Sequence, residues 1–276
     1  MNDLLNNIAL IGGDNDLPLY AYNSIKKKYK KFIYINLSSN NKKKLLDKKN
    51  VYNLKLYELE KCINILNKEK ITQLCFLGSV IRPDFSKLKL DKILSKYINN
   101  LLLASKEGDG KILDSIINIF NSEGFFIKSF IDIFPEEYLL DKDFLTINKS
   151  EISDINKGVS LLNTLSEYDN AQSCVISNGY ILSIEASEGT DQMLKRIISI
   201  KKKTSRNFIE GCLVKIPKLN QSLNIDLPTV GVKTLELMYK NKLNILAVNK
   251  FSTIVVQKIK FYKTLKKYNI KLHLFN

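Results

Sequence analysis

The first half of the chain alternates short apolar runs with helical patterns, and this alternation limits its possible folds more than any other feature. Apolar runs at 8–11, 32–37 and 73–78 each have the length of a buried strand, and helical stretches separate them. Strands that alternate with helices are typical of a parallel sheet with helices packed on its faces. We therefore predict an α/β fold in which the first domain is Rossmann-like and contains a parallel sheet.

The second half is also α/β, but its pattern differs. Two apolar runs flank Asn178-Gly179, the dipeptide that most strongly predicts a two-residue hairpin. The segment 135–150 contains Pro135 and mixes acids with lysines, so we predict that it is a linker. The expected domains are 1–134 and 151–276, the second being a distinct α/β domain, and both have the usual size of about 100–150 residues.

Composition narrows the class of protein. With 45% hydrophobic and 9% aromatic residues the chain can build globular cores. No stretch approaches the roughly 18 apolar residues of a membrane span, and the first residues lack the pattern of a signal peptide, so we expect a cytoplasmic protein. Each cysteine lies in an apolar run without a Cys-x-x-Cys pair, and we expect all four to be reduced core residues: Cys62, Cys75, Cys174 and Cys212.

The formal net charge of +15 raises the question of a nucleic-acid or membrane partner. Only three of the 43 basic residues are arginine, and the lysines are scattered over the whole length. Proteins that read bases depend on the planar arginine side chain. We therefore predict no nucleic-acid partner and interpret most lysines as solvated surface, although the charge also favours contact with anionic lipid head groups.

The scarcity of histidine excludes several kinds of hydrolase. The sequence contains one histidine, His273. A Ser-His-Asp or Cys-His nucleophile, a zinc hydrolase and a histidine-rich two-metal site all need imidazoles that the chain lacks. If the chain is a hydrolase, it must work with carboxylates, lysines and a hard cation.

Candidate ligand-binding residues follow the predicted strands of the first half. Gly12 and Gly13 lack the third glycine of a dinucleotide fingerprint, but their backbone N–H groups suit a phosphate. Arg82 and Asp84 follow the strand that ends at Gly78, at the sheet edge where α/β folds bind ligands. A salt bridge between Arg82 and Asp84 that only braces the loop is the alternative.

Carboxylates mark a second candidate site in the second half of the chain. Glu185, Glu188 and Asp191 lie within seven residues, between a predicted strand and a helix, and such a cluster suits Mg²⁺. Helix capping is an alternative explanation for Asp191 and needs neither glutamate.

Asp226 belongs to a stretch that suits a phosphate site. A strand carrying Lys215 leads through a polar loop to Asp226-Leu-Pro-Thr, after which we predict a helix from about Thr229. The alternative is that Asp226 only caps a turn before Pro228.

Six motifs occur in order along the chain and together are more specific than any one of them. They are Ile11-Gly-Gly, Gly78-x-Val-x-Arg-Pro-Asp-Phe, Lys106-x-Gly-Asp, Glu188-Gly-Thr-Asp, Gly211-x-Leu-Val-Lys-x-Pro-Lys and Asp226-Leu-Pro-Thr-x-Gly. This set resembles the LpxI-type UDP-2,3-diacylglucosamine pyrophosphatases of lipid A biosynthesis, and the resemblance spans almost the whole chain.

The resemblance implies a reaction and a setting for it. The expected reaction is Mg²⁺-dependent hydrolysis of the pyrophosphate of UDP-2,3-diacylglucosamine, which gives UMP and 2,3-diacylglucosamine 1-phosphate (lipid X). The substrate would be held between a Rossmann-like N-terminal domain and the C-terminal domain. Because the substrate is a membrane lipid, we expect a cytoplasmic enzyme peripheral to the inner membrane, and by analogy a homodimer. A non-catalytic binder of nucleotide sugar or lipid is the competing class.

The resemblance also implies roles for the candidate residues. Asp226 would be the essential acid, which orients or deprotonates water or holds Mg²⁺. The cation would be bound with the help of Glu185, Glu188 and Asp191. Phosphate oxygens would be held by Arg82, Lys215 and the Gly12-Gly13 amides, with Asp84 and Thr229 as further substrate contacts.

Overall fold

The structure is a computed structural model of the 276-residue chain, and it describes residues 7–41, 49–80, 84, 88–168, 171–203, 210–218 and 227–276. The described residues divide into two compact units, one ending at Ile133 and the other beginning at Phe134. Among the helices in these ranges, none is long and apolar enough to cross a membrane.

The first unit is built on a parallel sheet. Its elements are β1 (Asn7–Gly12), α1 (Leu17–Lys28), β2 (Lys31–Asn36), β3 (Val51–Asn53), α2 (Leu59–Lys68), β4 (Gln73–Leu77), α3 (Lys92–Glu107), α4 (Asp109–Ser122), β5 (Phe126–Ile127) and α5 (Phe130–Ile133). The described strands have the order β3-β2-β1-β4-β5, and every neighbouring pair is parallel. The predicted α/β class with a parallel sheet is confirmed.

The apolar sequence of β1 matches its buried position in the sheet. Its residues from Ile8 to Gly12 are all buried, as expected for a central parallel strand that is covered on both faces. Helix α1 packs on β1 and β2. A separate apolar cluster joins Ile11 of β1 to Ile63 and Leu66 of α2 and to Phe120 of α4.

The first unit ends in a two-residue strand followed by a short helix. Only Phe126–Ile127 pair with β4, and the chain then turns into the short helix α5. Phe130 and Ile133 are both buried. Residues three apart share one face of a helical turn but face opposite sides of a strand, so burying both favours the helix.

The second unit contains a mixed sheet. Its elements are α6 (Pro135–Tyr138), α7 (Lys149–Ser166), β6 (Ser173–Ser177), β7 (Tyr180–Ile184), α8 (Thr190–Lys203), β8 (Cys212–Lys215), β9 (Thr229–Val230), α9 (Val232–Lys240), β10 (Ile245–Asn249), β11 (Ile254–Val255), α10 (Lys258–Tyr268) and β12 (Lys271–Phe275). The sheet order is β12-β10-β8-β6-β7, with β12, β10 and β8 parallel and β6 antiparallel to both its neighbours. A separate parallel pair joins β9 to β11.

The predicted hairpin at Asn178-Gly179 is confirmed. Strands β6 and β7 are antiparallel and are joined by these two residues. Asn178 has φ 49° and Gly179 has φ 76°, both in the left-handed region. Two positive φ values are the signature of the tight turn that Asn-Gly favours, because its twist matches that of the flanking strands.

The helix predicted from about Thr229 begins later, and that prediction is wrong by three residues. Thr229 and Val230 form β9 and pair with Ile254 and Val255, and α9 starts at Val232. In this short strand the side chain of Val230 is buried in the core of the second unit. Thr229 therefore lies on a strand and not in the first turn of a helix.

Residues of the segment 135–150 pack within the second unit. Leu140 is buried in its apolar core. Phe144 exchanges backbone hydrogen bonds with Leu272 of β12, at 3.1 and 2.9 Å. The predicted bounds of the two domains stay a prediction.

Candidate functional site

Lys215 is a charged residue in a buried position at the end of β8. Only 7% of it is exposed. Strand β8 lies between β10 and β6, and its register places Lys215 beside Val248 and Ser173. The ammonium nitrogen Nζ donates a hydrogen bond to Oγ1 of Thr190, at 2.7 Å. Thr190 is the first residue of α8, so the contact joins a strand end to a helix start.

Glu185 continues this contact into a network of four side chains. Its Oε2 accepts a hydrogen bond from the hydroxyl of Thr190 at 3.1 Å and another from the hydroxyl of Ser173 at 2.5 Å. Its backbone N–H donates to the carbonyl of Ser173 at 2.9 Å. We name these residues the Lys215 network: Ser173, Glu185, Thr190 and Lys215.

Two further carboxylates predicted to bind Mg²⁺, Glu188 and Asp191, have partners of their own. Glu188 forms an ion pair with Arg196 at 2.9 Å, and Asp191 forms one with Lys233 at 2.6 Å. Within the part of the chain that the structure describes, no group of three or more His, Cys, Asp or Glu side chains comes together as a metal site. The structure thus does not bring Glu185, Glu188 and Asp191 together as one cation site.

The remaining predicted residues lie in several places. Asp226 and Arg82 lie outside the described residues, and their roles stay predictions. Asp84 is exposed. Thr229 is half-buried on β9, where its hydroxyl donates to the carbonyl of Leu227 at 3.2 Å.

Gly12 and Gly13 are required by the packing around the end of β1. A Cβ atom at Gly12 would lie 2.0 Å from the hydroxyl oxygen of Tyr34, and one at Gly13 would lie 2.2 Å from the carbonyl oxygen of Ser79. The N–H of Gly13 donates to the carbonyl of Leu77 at 2.9 Å. This N–H, one of those predicted to bind phosphate, is therefore used inside the first unit.

Asp14 is a polar residue at the carboxyl edge of the first sheet that the sequence analysis missed. It pairs with Ser79 after β4, and its carboxylate accepts hydrogen bonds from the hydroxyl of Ser38 and, at 3.2 Å, from Asn40. In doubly wound sheets this edge is where ligands bind. Its position directly after Gly12-Gly13 was the available signal.

The cysteines do not provide a reactive nucleophile. All four are free and buried, as predicted. Burial raises the pKa of the Cys212 thiol to about 12, and it also raises the pKa of Cys174 on the neighbouring strand. Because the thiolate is the reactive form, these groups stay protonated and inert near neutral pH.

Comparisons with known proteins give a consistent result over both units. A family model described as the LpxI N-terminal domain matches residues 7–137, and one described as the LpxI C-terminal domain matches residues 144–273. The chain is 32% identical over 184 residues to the UDP-2,3-diacylglucosamine pyrophosphatase LpxI of Caulobacter vibrioides. That alignment covers 64% of this chain and 65% of the relative, slightly less than two thirds of each.

Proposed function

Because the chain belongs to the LpxI family, we propose that it hydrolyses the pyrophosphate bond of UDP-2,3-diacylglucosamine to UMP and 2,3-diacylglucosamine 1-phosphate in lipid A biosynthesis. The observation that carries this proposal is the match to both LpxI domain models in chain order, over residues 7–137 and 144–273. The named relative, a UDP-2,3-diacylglucosamine pyrophosphatase, supports the same reaction.

The chemistry requires a positioned water molecule and positive charge near the diphosphate. Water attacks a phosphorus atom, its proton passes to a base, and the bridging P–O bond breaks so that the leaving phosphate keeps the bridging oxygen. A diphosphate is negatively charged and repels a nucleophile, so neutralising its oxygens lowers the barrier. We assign the orientation and deprotonation of water to Asp226, as the resemblance implies.

Lys215 supports the phosphate-binding part of the proposal. An ammonium group has three N–H donors, and Thr190 accepts from one of them. Burial makes the charge effective, because electrostatic interactions are stronger where water is excluded. Lys215 is therefore assigned to the phosphate oxygens, together with Arg82, and Asp84 and Thr229 are assigned to further substrate contacts.

A requirement for Mg²⁺ is part of the proposal and rests on the resemblance. Mg²⁺ prefers oxygen ligands and would neutralise charge on the diphosphate. The described carboxylates Glu185, Glu188 and Asp191 do not make a cation site by themselves, since each has another partner.

The positive net charge of the chain favours access to a lipid substrate in a membrane. The substrate carries two acyl chains and lies in a membrane, and the net charge of +15 favours an anionic bilayer surface. We propose that the enzyme acts at the inner face of the cytoplasmic membrane as a peripheral protein.

The decisive experiment measures UMP release from UDP-2,3-diacylglucosamine with Mg²⁺ and with EDTA. The wild type is compared with Asp226→Ala and with Asp84→Ala, a second carboxylate removal that leaves the proposed base intact. We expect hydrolysis to need the cation and to fall at least about 1,000-fold in Asp226→Ala, as is usual when a group central to the chemistry is removed. Asp84→Ala is expected to change mainly KM.

Two results would contradict the proposal in different ways. If the wild type binds the lipid but never cleaves it, the chain is a lipid-binding protein on the same fold. If Asp226→Ala retains wild-type kcat, the reaction is right and its base is another residue.

A further inference from the structure

The ammonium of Lys215 is held by a neutral hydroxyl and not by a carboxylate. Thr190 accepts its hydrogen bond at 2.7 Å, and among the described residues Lys215 forms no ion pair. A buried charge without a direct counter-ion is costly. A position that keeps such a charge calls for an explanation beyond the packing of β8.

The distances in the Lys215 network favour one arrangement of protons, since the hydroxyl of Ser173 lies 2.5 Å from Oε2 of Glu185 but 3.3 Å from Oγ1 of Thr190. Lysine can only donate, so Thr190 accepts from Lys215. The single hydroxyl proton of Thr190 then goes to Oε2 of Glu185, at 3.1 Å. The hydroxyl of Ser173 donates to the same oxygen, at 2.5 Å. Glu185 therefore fixes the orientation of Thr190, and Thr190 fixes the ammonium.

This arrangement places a negative charge near the Lys215 ammonium without using its remaining N–H donors. The carboxylate of Glu185 lies one hydroxyl away from the ammonium, and so it does not compete with an anion for direct contact. Two of the three N–H donors of Lys215 have no acceptor among the described residues. An oxyanion is the chemical group that would complete this site.

The start of α8 adds to the attraction for an anion. Thr190 is the first residue of this 14-residue helix, and the amide of Met193 donates to the carbonyl of Gly189 at 3.0 Å, so the helical hydrogen bonds begin there. The amides before Met193 have no acceptor within the helix, and the helix dipole makes this end positive. The buried ammonium and the helix start thus act on the same place.

We propose that Thr190 and Glu185 are positioning residues that hold the ammonium of Lys215 for a phosphate oxygen of the substrate. The identity of the substrate rests on the proposed function, whereas the binding of a phosphate group does not. In this assignment Glu185 acts through Thr190 and is not a ligand of a cation. Ser173 contributes by filling the remaining hydrogen-bonding capacity of the same carboxylate oxygen.

The test is the affinity for UDP measured by calorimetry in EDTA, with uridine as the ligand without phosphate. Thr190→Val keeps the shape of the side chain and removes the hydroxyl, whereas Thr190→Ser keeps the hydroxyl. We expect Thr190→Val to weaken UDP binding about 10- to 100-fold, the usual range for a hydrogen bond to a charged group, and Thr190→Ser to stay within about threefold. Uridine binding is expected to change in neither variant.

A double-mutant cycle separates positioning from a general effect on the fold. In a Lys215→Met background, Thr190→Val is expected to have no further effect on UDP affinity, because both changes remove the same interaction. The inference is overturned if the effects of the two substitutions on the free energy of UDP binding add. It is also overturned if Thr190→Ser loses as much affinity as Thr190→Val, or if the wild type and Lys215→Met bind UDP equally.

The same variants distinguish a failure of this inference from a failure of the proposed function. A wild type that binds UDP through Lys215 but does not hydrolyse UDP-2,3-diacylglucosamine overturns the function and leaves the positioning role intact. A wild type that hydrolyses the lipid, with Thr190→Val unchanged in both KM and kcat, overturns the positioning role alone.

Discussion

The close approach of α7 to β8 depends on Gly158, and replacing it with alanine is expected to destabilise the second unit. A Cβ atom at this position would lie 2.6 Å from Cγ2 of Val214, 3.0 Å from Cβ of Val214 and 3.2 Å from Sγ of Cys174. Favourable carbon–carbon contacts lie at about 3.5–4.0 Å. Valine is branched at Cβ and cannot easily turn away. The helix or the strand must therefore move.

Two opposing terms set the size of the effect. Alanine is a better helix former than glycine by about 1 kcal/mol. Overpacking a core typically costs about 1–3 kcal/mol, and contacts near 3 Å with a rigid side chain place Gly158→Ala at or above the upper end of that range. We expect a net loss of about 2 kcal/mol, which corresponds to a fall in Tm of roughly 5–10 °C for a unit of this size.

Differential scanning calorimetry is the suitable assay, because it measures both Tm and the enthalpy of unfolding. Asn156→Ala is the matched control, since Asn156 is exposed on the same helix and its replacement changes helix propensity alone. Adding Val214→Ala to Gly158→Ala removes the nearest of the contacted atoms, so the double variant should lose less than the sum of the single losses. A Tm for Gly158→Ala at or above that of the wild type would refute the argument.

Two further predictions concern buried polar atoms. The hydroxyl of Tyr34 is buried without a hydrogen-bond partner among the described residues, so Tyr34→Phe is expected to leave Tm unchanged or to raise it, and a loss above about 1 kcal/mol would contradict this. Burial raises the pKa of the Cys62 and Cys212 thiols to about 12, so a disulfide reagent at about pH 8 should modify them only after denaturation, whereas rapid modification of the native protein would show that they are accessible.

Local sequence patterns allowed most of the fold to be predicted. The errors occur where pairing with residues distant in sequence determines the secondary structure. The hairpin at Asn178-Gly179 follows from two residues that favour positive φ, so the sequence alone was sufficient. The start of α9 was predicted too early because Thr229 and Val230 pair with β11, and nothing next to them in the sequence signals that pairing. Short strands of this kind depend on their partners.

The contacts within the candidate site also depend on residues that are distant in sequence. Glu185, Glu188 and Asp191 are close in sequence, but each finds a separate partner. Glu185 follows β7, Glu188 lies in the turn after it and only Asp191 lies on α8, so closeness in sequence does not bring these carboxylates to one point. Ser173 was missed because its link to Lys215 is set by the pairing of β6 with β8.

The indirect contact between Lys215 and Glu185 reconciles stability with binding. A direct ion pair would compensate the buried charge better, but a phosphate would then have to displace the carboxylate before it could reach the ammonium. With Thr190 between them, the negative charge remains near enough to lower the cost of burial, while two N–H donors of Lys215 have no acceptor among the described residues. Sites that bind ligands commonly retain such unfavourable groups at some cost in stability. The network around Lys215 is consistent with a site arranged for an anion and not for the stability of the unit alone.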